Sequence, residues 1–190
     1  MMMKKAPRAL FTALFVLSGL CIYNTHAQDR YIDKNGTVIF EASEKFFEEV
    51  KAKNESVTAI FDETTNDIAS LALIKGFRFK NSLMQEHFNE NYVDSDTYPK
   101  ATFKGKLINT NPDGLSEKIT DVTVEGILEL NGKQKEMTAN LKGQKVGNTI
   151  SLTGSFIVSP EDFNITIPKI VRNKIAKQVT VRVDFKLVKK

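Results

Sequence analysis

Between Ile119 and Leu130 the chain alternates. Val122, Val124, Gly126, Leu128 and Leu130 fall on one side, Thr123, Glu125 and Glu129 on the other. The same period of two recurs downstream. Met137, Ala139, Leu141 and Gly143 alternate with Glu136, Thr138, Asn140 and Lys142. Ile150, Leu152, Gly154, Phe156 and Val158 alternate with Ser151, Thr153 and Ser155. Val179, Val181, Val183, Phe185 and Leu187 alternate with Thr180, Arg182, Asp184 and Lys186, and Ala101, Phe103, Gly105 and Leu107 with Thr102, Lys104 and Lys106. Side chains of a strand point alternately to its two faces, so each run predicts a strand with one apolar and one wet face.

Turn signals separate the runs: Asn35-Gly36, Glu63 to Asn66, Asn111 to Gly114, Asn131-Gly132 and Gly147-Asn148. Asparagine and glycine tolerate positive φ, which tight hairpins need. Successive hairpins predict an all-β antiparallel meander. Long strands with one greasy face must cover it, by stacking as a sandwich or by closing into a barrel, and closure alone removes the edges. The small residues Ala59, Ala72, Gly105, Gly126, Ala139, Gly143 and Gly154 lie on the apolar faces. They either leave room inside or let strands bend at barrel corners.

Two segments break the alternation. Residues 82–92 read as a short helix: Leu83, Met84, His87, Phe88 and Asn91 share one side, with Ser82 as N-cap. Residues 160–177 read as a second helix opened by Pro160, with Ile170, Val171 and Ile175 packing down and Lys169, Arg172, Lys174 and Lys177 in water.

The first residues change how the composition is read. Lys4, Lys5 and Arg8 precede an apolar run from Ala9 to Ile22, and Thr25-His26-Ala27 offers small residues for cleavage before Gln28. That is the pattern of a secretory signal peptide over residues 1–27, leaving residues 28–190 as one domain in the periplasm or outside the cell. The run is short for a membrane span. A lipoprotein signal ending at Cys21 is the rival reading, but the bulky Leu20 before it fits poorly. Removing the leader removes Cys21, and with it disulfide, thiol and cysteine–metal chemistry. The formal charge of +4 also falls, because the leader carries three basic and no acidic groups. A nearly neutral chain has no electrostatic footprint for nucleic acid.

His87 is then the sole histidine of the 28–190 segment. Nucleophilic catalysis would require an activated serine, threonine or cysteine, and no G-x-S-x-G turn is present. His87 and Glu90 could share an ion, but zinc takes three or four ligands, mostly histidine or cysteine. A half-buried histidine bonded to backbone is the plain alternative. A polar point in an otherwise apolar pocket is another. Lys169, Arg172 and Lys174 read either as a solvated face or as a pocket mouth that attracts an anionic head group.

Five stretches in order carry a family pattern: "FDETTNDI" (Phe61 to Ile68), "LMQEHFNENY" (Leu83 to Tyr92), "YPKATFKG" (Tyr98 to Gly105), "DVTVEGILELNGKQKEMTANLKG" (Asp121 to Gly143) and "FIVSPEDFNITIPKIVRNKIAKQVTVRVDF" (Phe156 to Phe185). Together they resemble the YceI-like family of bacterial secreted proteins. The helix ending in "EHF", followed by "YP-x-x-TF", is the most specific part. The chain departs from the common pattern at Met84, Phe88 and Asn164. The resemblance implies an extended lipocalin-like antiparallel barrel, with one or two short helices at its end, that binds a long apolar lipid of the polyisoprenoid kind. It brings no catalytic residues, no metal and no cofactor other than such a lipid, and leaves monomer or homodimer open.

On this reading Phe61, Ile74, Phe77, Phe79, Phe103, Val124, Leu128, Leu141, Leu152, Phe156, Val183 and Phe185 line the interior, with Met84, His87 and Phe88 at the mouth. Lys169, Arg172 and Lys174 are the candidate head-group contacts. Two rivals remain: a packed barrel acting as an envelope stress or interaction protein, and an enzyme using His87. The leader reading has its own check. Mass spectrometry of the exported protein is expected to find a chain starting within about two residues of Gln28. An acylated Cys21 at the amino terminus would make it a lipoprotein instead.

Overall fold

The structure, a computed structural model, describes residues 30–108 and 114–190. The leader, Cys21 and most of the Asn111–Gly114 turn lie outside the described residues.

The alternating runs form long strands: β1 (Arg30–Ser43), β2 (Lys51–Asp62), β3 (Asp67–Leu73), β5 (Lys100–Ile108), β6 (Thr120–Leu130), β7 (Lys133–Val146), β8 (Thr149–Val158) and β9 (Ile175–Lys189). A two-residue strand, β4 (Arg78–Phe79), and one α-helix, α1 (Ser82–His87), stand between β3 and β5. The sheet runs β1-β9-β8-β7-β6-β5-β3-β2, and β2 pairs back onto β1. All the pairs are antiparallel, so the eight long strands make a closed antiparallel barrel, and β4 lies against the half of β2 that β3 leaves free.

The predicted faces hold. Val122, Val124, Leu141, Leu152, Phe185 and Leu187 are buried inside, while Glu125 and Arg182 are exposed. The ladders are in register: Leu128 faces Phe103 on one side and Lys135 on the other. Asn131 and Gly132, at φ 50° and 68°, make the tight β6–β7 turn that their sequence announces.

Two expectations need correction, and a third is refined. Asn35-Gly36 is no hairpin; it lies within β1, where the register with both neighbours shifts. Gly36 lets the strand bulge where Phe185 crosses it, since a Cβ there would meet the ring at 2.5 Å. The small inner residues divide: Ala72 and Ala139 border open interior space, whereas the Phe103 ring lies across the facing pair Gly105 and Gly126, at 2.8 and 2.7 Å from their would-be Cβ atoms. The predicted second helix is a single 3-10 turn, Pro160–Phe163. Asn164 at φ 56° ends it, and Ile165 is buried while Ile170 is 84% exposed. The three consecutive β-branched residues Ile165, Thr166 and Ile167 and the following Pro168 explain why no helix continues.

The two barrel ends differ. At one end Tyr31, Phe61, Ile150, Leu152 and Leu187 fill the interior. There the Tyr31 hydroxyl donates to Glu63 Oε2 at 3.0 Å, and Lys145 Nζ meets the same carboxylate at 2.6 and 2.8 Å. The Glu63 hydrogen bond holds the Lys145 ammonium above its ordinary value of 10.5. A raised folded value means that the contribution is complete below about pH 10.5 and is lost as pH rises through the folded value. Above that pH the stability of the wild type is expected to fall more steeply than that of Lys145→Met, read by urea denaturation at stepped pH. Parallel slopes would remove this role from the pair.

Candidate functional site

At the other end the interior is open. A cavity of about 490 Å³ runs between the inner faces of the barrel and the segments that cross its mouth. Its wall is apolar: Val38, Phe40, Ile68 and Ala72 from the first three strands, Ala101 and Phe103 from β5, Val124, Leu128 and Leu130 from β6, and Met137 and Leu141 from β7. Phe156, Val158, Val181, Val183 and Phe185 complete it from β8 and β9. Ser70, Thr102 and Tyr92 contribute neutral hydroxyls, and Glu48, Asn81, His87 and Lys174 also border it. Desolvation by burial raises the Tyr92 phenol above its ordinary value, so it stays uncharged there.

The segment that crosses the mouth is built from local rules. Asn81, one residue before the expected cap Ser82, closes α1 by accepting from the Leu83 and Met84 amides at 3.0 and 3.2 Å. Its amide also donates to Glu48 on the β1–β2 loop at 3.2 Å. Gln85 accepts from the Phe79 amide, tying the helix to β4. From Phe88 to Tyr92 the coil widens into a π turn, closed by Val93 N to Phe88 O at 3.1 Å. This widening lets Phe88, Tyr92 and Val93 all meet the cavity.

Phe88 sits among three other rings. Its centroid lies 5.1 Å from Phe40, 5.2 Å from Phe79 and 6.1 Å from Phe77. A second small core, Ile74, Val93, Phe163 and Ile165, packs beside it over the mouth. It is held in place by Asn131 Nδ2, which donates to Phe163 O at 3.0 Å, and by the Lys135–Asp162 ion pair.

Of the residues read from sequence, Ile74, Phe77, Phe79, Met84, His87, Phe88, Phe103, Val124, Leu128, Leu141, Phe156, Val183 and Phe185 line this cavity. Phe61 and Leu152 do not. They point inward but belong to the packed end, 2% and 0% exposed. Lys174 lines the mouth, whereas Lys169 and Arg172 are exposed beside it and do not line the cavity, with Arg172 Nη2 donating to Ile167 O at 3.4 Å.

His87 is also corrected: it is exposed rather than half-buried, and among the described residues its ring makes no hydrogen bond. Among those residues no cluster of three or more histidine, cysteine or acidic side chains could hold a metal ion. No helix there is long and apolar enough to cross a membrane.

Sequence reasoning missed Phe40, Asn81, Gln85 and Phe163. Phe40 was recoverable, because Val38, Phe40 and Ala42 alternate with Thr37, Ile39 and Glu41. Phe163 was not, since its burial depends on a turn docking from across the barrel.

The comparisons with known proteins agree with this geometry. The family model of the YceI-like domain matches residues 31–187. No curated protein matches the sequence. Among solved structures, a polyisoprenoid-binding domain from Saccharophagus degradans superposes with a TM-score of 0.73 at 14% identity, covering 86% of this chain and 99% of its own. Burkholderia cenocepacia BcnA gives 0.65 at 16%, over 80% and 96% of the two chains. The Campylobacter jejuni YCEI protein gives 0.61 at 15%, over 77% and 89%. At these identities the likeness is one of fold.

The four-ring cluster has a measurable consequence. Phe88→Ala is expected to cost about 2–3 kcal/mol in chemical denaturation, because it removes the ring on which three others pack. His87→Ala is expected to stay within about 0.5 kcal/mol of wild type, as an exposed unbonded side chain should. Equal costs would mean that the helix is not anchored through Phe88.

Proposed function

The chain belongs to the YceI-like family, and we propose that its barrel is an extracytoplasmic binding site for a long apolar lipid of the polyisoprenoid kind, which it carries or sequesters. The observation that carries this reading is the cavity of about 490 Å³, enclosed by phenylalanine and aliphatic side chains. That volume lies in the range of small-molecule sites, roughly 300–1,000 Å³. A barrel acting only through its surface would have packed this end as it packs the other.

The chemistry favours a chain rather than a compact polar ligand. Each Å² of apolar tail taken from water gains roughly 25 cal/mol. A long tail therefore binds without strong polar contacts, and the neutral hydroxyls of Ser70, Thr102 and Tyr92 impose no charge on it. Lys174 at the mouth is placed for an anionic head left outside. The Saccharophagus degradans domain of the same fold, a polyisoprenoid binder by description, supports the ligand class. The leader-like residues 1–27 support export.

Retention of a fluorescent polyprenyl probe tests the reading. His87→Gln is expected to bind within about twofold of wild type, because an exposed group contributes little to an apolar grip. Met84→Glu and Phe88→Glu are expected to weaken retention tenfold or more. Each sets a carboxylate against the tail at a cost of several kcal/mol unless it protonates or reaches water. Circular dichroism controls for folding. Loss of retention in His87→Gln alone, with both glutamate variants normal, would overturn the apolar-mouth reading.

A further inference from the structure

Around the cavity mouth several apolar side chains face water. The β1–β2 loop carries Phe46, fully exposed, and Phe47, 44% exposed. Phe46 sits at φ 72°, a left-handed backbone that bulky residues seldom adopt. Residues 168–174 present Ile170, 84% exposed, and the start of α1 presents Leu83, 56% exposed. The three segments share one rim. Ser43 pairs with Ile175, Asn81 donates to Glu48, and Glu48, Leu83, Val171 and Lys174 border the same opening. Single exposed apolar residues are ordinary, but a group of them around one opening marks an interaction surface.

The 168–177 side of the rim is also cationic. Lys169, Arg172, Lys174 and Lys177 are exposed, and none takes part in an ion pair among the described residues. Of the opposing carboxylates on the β1–β2 loop, Glu48 is engaged by Asn81, and Glu49 lies 3.6 Å from Lys51. Glu44 on that loop and Glu86 on α1 are exposed acids that no side-chain hydrogen bond or ion pair engages among the described residues.

We propose that this rim docks on a bilayer bearing anionic head groups, so that the cavity opens onto the membrane from which its ligand is drawn. Exposed rings beside exposed lysines and arginine are the combination that holds a protein at a lipid interface: apolar groups enter the acyl boundary while cations meet the head groups. A second copy is a poorer occupant, because a two-fold contact would offer four cations only the unengaged acids Glu44 and Glu86, with Glu48 and Glu49 already engaged. The biological sense of the docking rests on the lipid-binding reading, but its geometry does not.

Co-sedimentation with vesicles of phosphatidylcholine, alone or with about a third phosphatidylglycerol, tests it. All variants keep the same N-terminal segment, so differences among them report on the rim. Wild type is expected to prefer the anionic vesicles, and the preference to fade as salt is raised. Phe46→Asn combined with Ile170→Asn is expected to bind at least tenfold more weakly to them. Asparagine tolerates the left-handed backbone at position 46, so thermal stability should not drop. Lys169→Gln combined with Lys177→Gln is expected to lose on the order of tenfold on anionic vesicles only.

None of these four residues lines the cavity, so a short soluble polyprenyl probe should still be retained by every variant. Absence of wild-type binding to anionic vesicles would overturn the proposal, as would variants that sediment like wild type. So would light scattering that shows the apolar variant converting a dimer to a monomer with vesicle binding unchanged, which assigns the rim to a second copy. Vesicle binding that depends on the rim, in a protein that holds no probe, would sustain the docking and remove the cavity reading.

Discussion

The pairing of β1 with both β2 and β9 is the interaction on which the rest depends. A meander without it would be an open sheet with two unpaired edges and an apolar face in water. With it, each inward side chain meets others across a closed interior, and the outward face is free to be charged. Closure brings a constraint of its own. β1 is followed by its neighbour in sequence but must also reach the last strand, so it has to curve sharply. The bulge at Gly36 permits this where the Phe185 ring crosses the strand, and the register shifts there against both neighbours.

What fills the closed interior decides what the molecule can do. At one end the side chains are long enough, and the crossings close enough, to pack it: Tyr31, Phe61, Ile150, Leu152 and Leu187 are all at most 2% exposed. Lys145 and Glu63 sit at the rim of that end, where the Tyr31 hydroxyl finds its acceptor without entering the core. At the other end no strand supplies a plug. The mouth is crossed instead by the 82–92 segment and the turn around Phe163, which lie over the opening and leave volume beneath them. A packed half secures the barrel, and that leaves the other half free to hold a ligand.

The period of two made the barrel walls legible, because Val122 or Phe185 can satisfy only one face of a strand. It could not reveal depth. Phe61 and Leu152 follow the same alternation as Phe103 and Phe156, yet the first pair is core and the second is cavity wall. That distinction depends on how far along the barrel axis each residue lies, which alternation does not encode. The predicted helix over 160–177 failed for a local reason. Its helical spacing of Ile170, Val171 and Ile175 was outweighed by Asn164 and Pro168 and by the burial of Phe163 against another turn. At His87 the helical side was read correctly and the burial was not. The apolar side of a short lid helix has a rim, and His87 lies on it.

If the cavity holds an apolar ligand as proposed, it has little geometric means of letting go, since apolar attraction has no direction to break. The exit must then come from the cover. Besides packing against the second small core through Tyr92, the 82–92 segment is attached by a few localised contacts: Asn81 to Glu48, Gln85 to the Phe79 amide, and Phe88 to its three rings. Two are single hydrogen bonds, each worth about 1 kcal/mol net. The third is an apolar contact of the same kind as the ligand's own. Phe40, Phe77, Phe79 and Phe88 line the cavity as well as holding the lid, so a tail arriving among them competes for the surfaces that keep the helix down. On the proposed function, binding and opening would be coupled through one aromatic cluster, with no charged switch required.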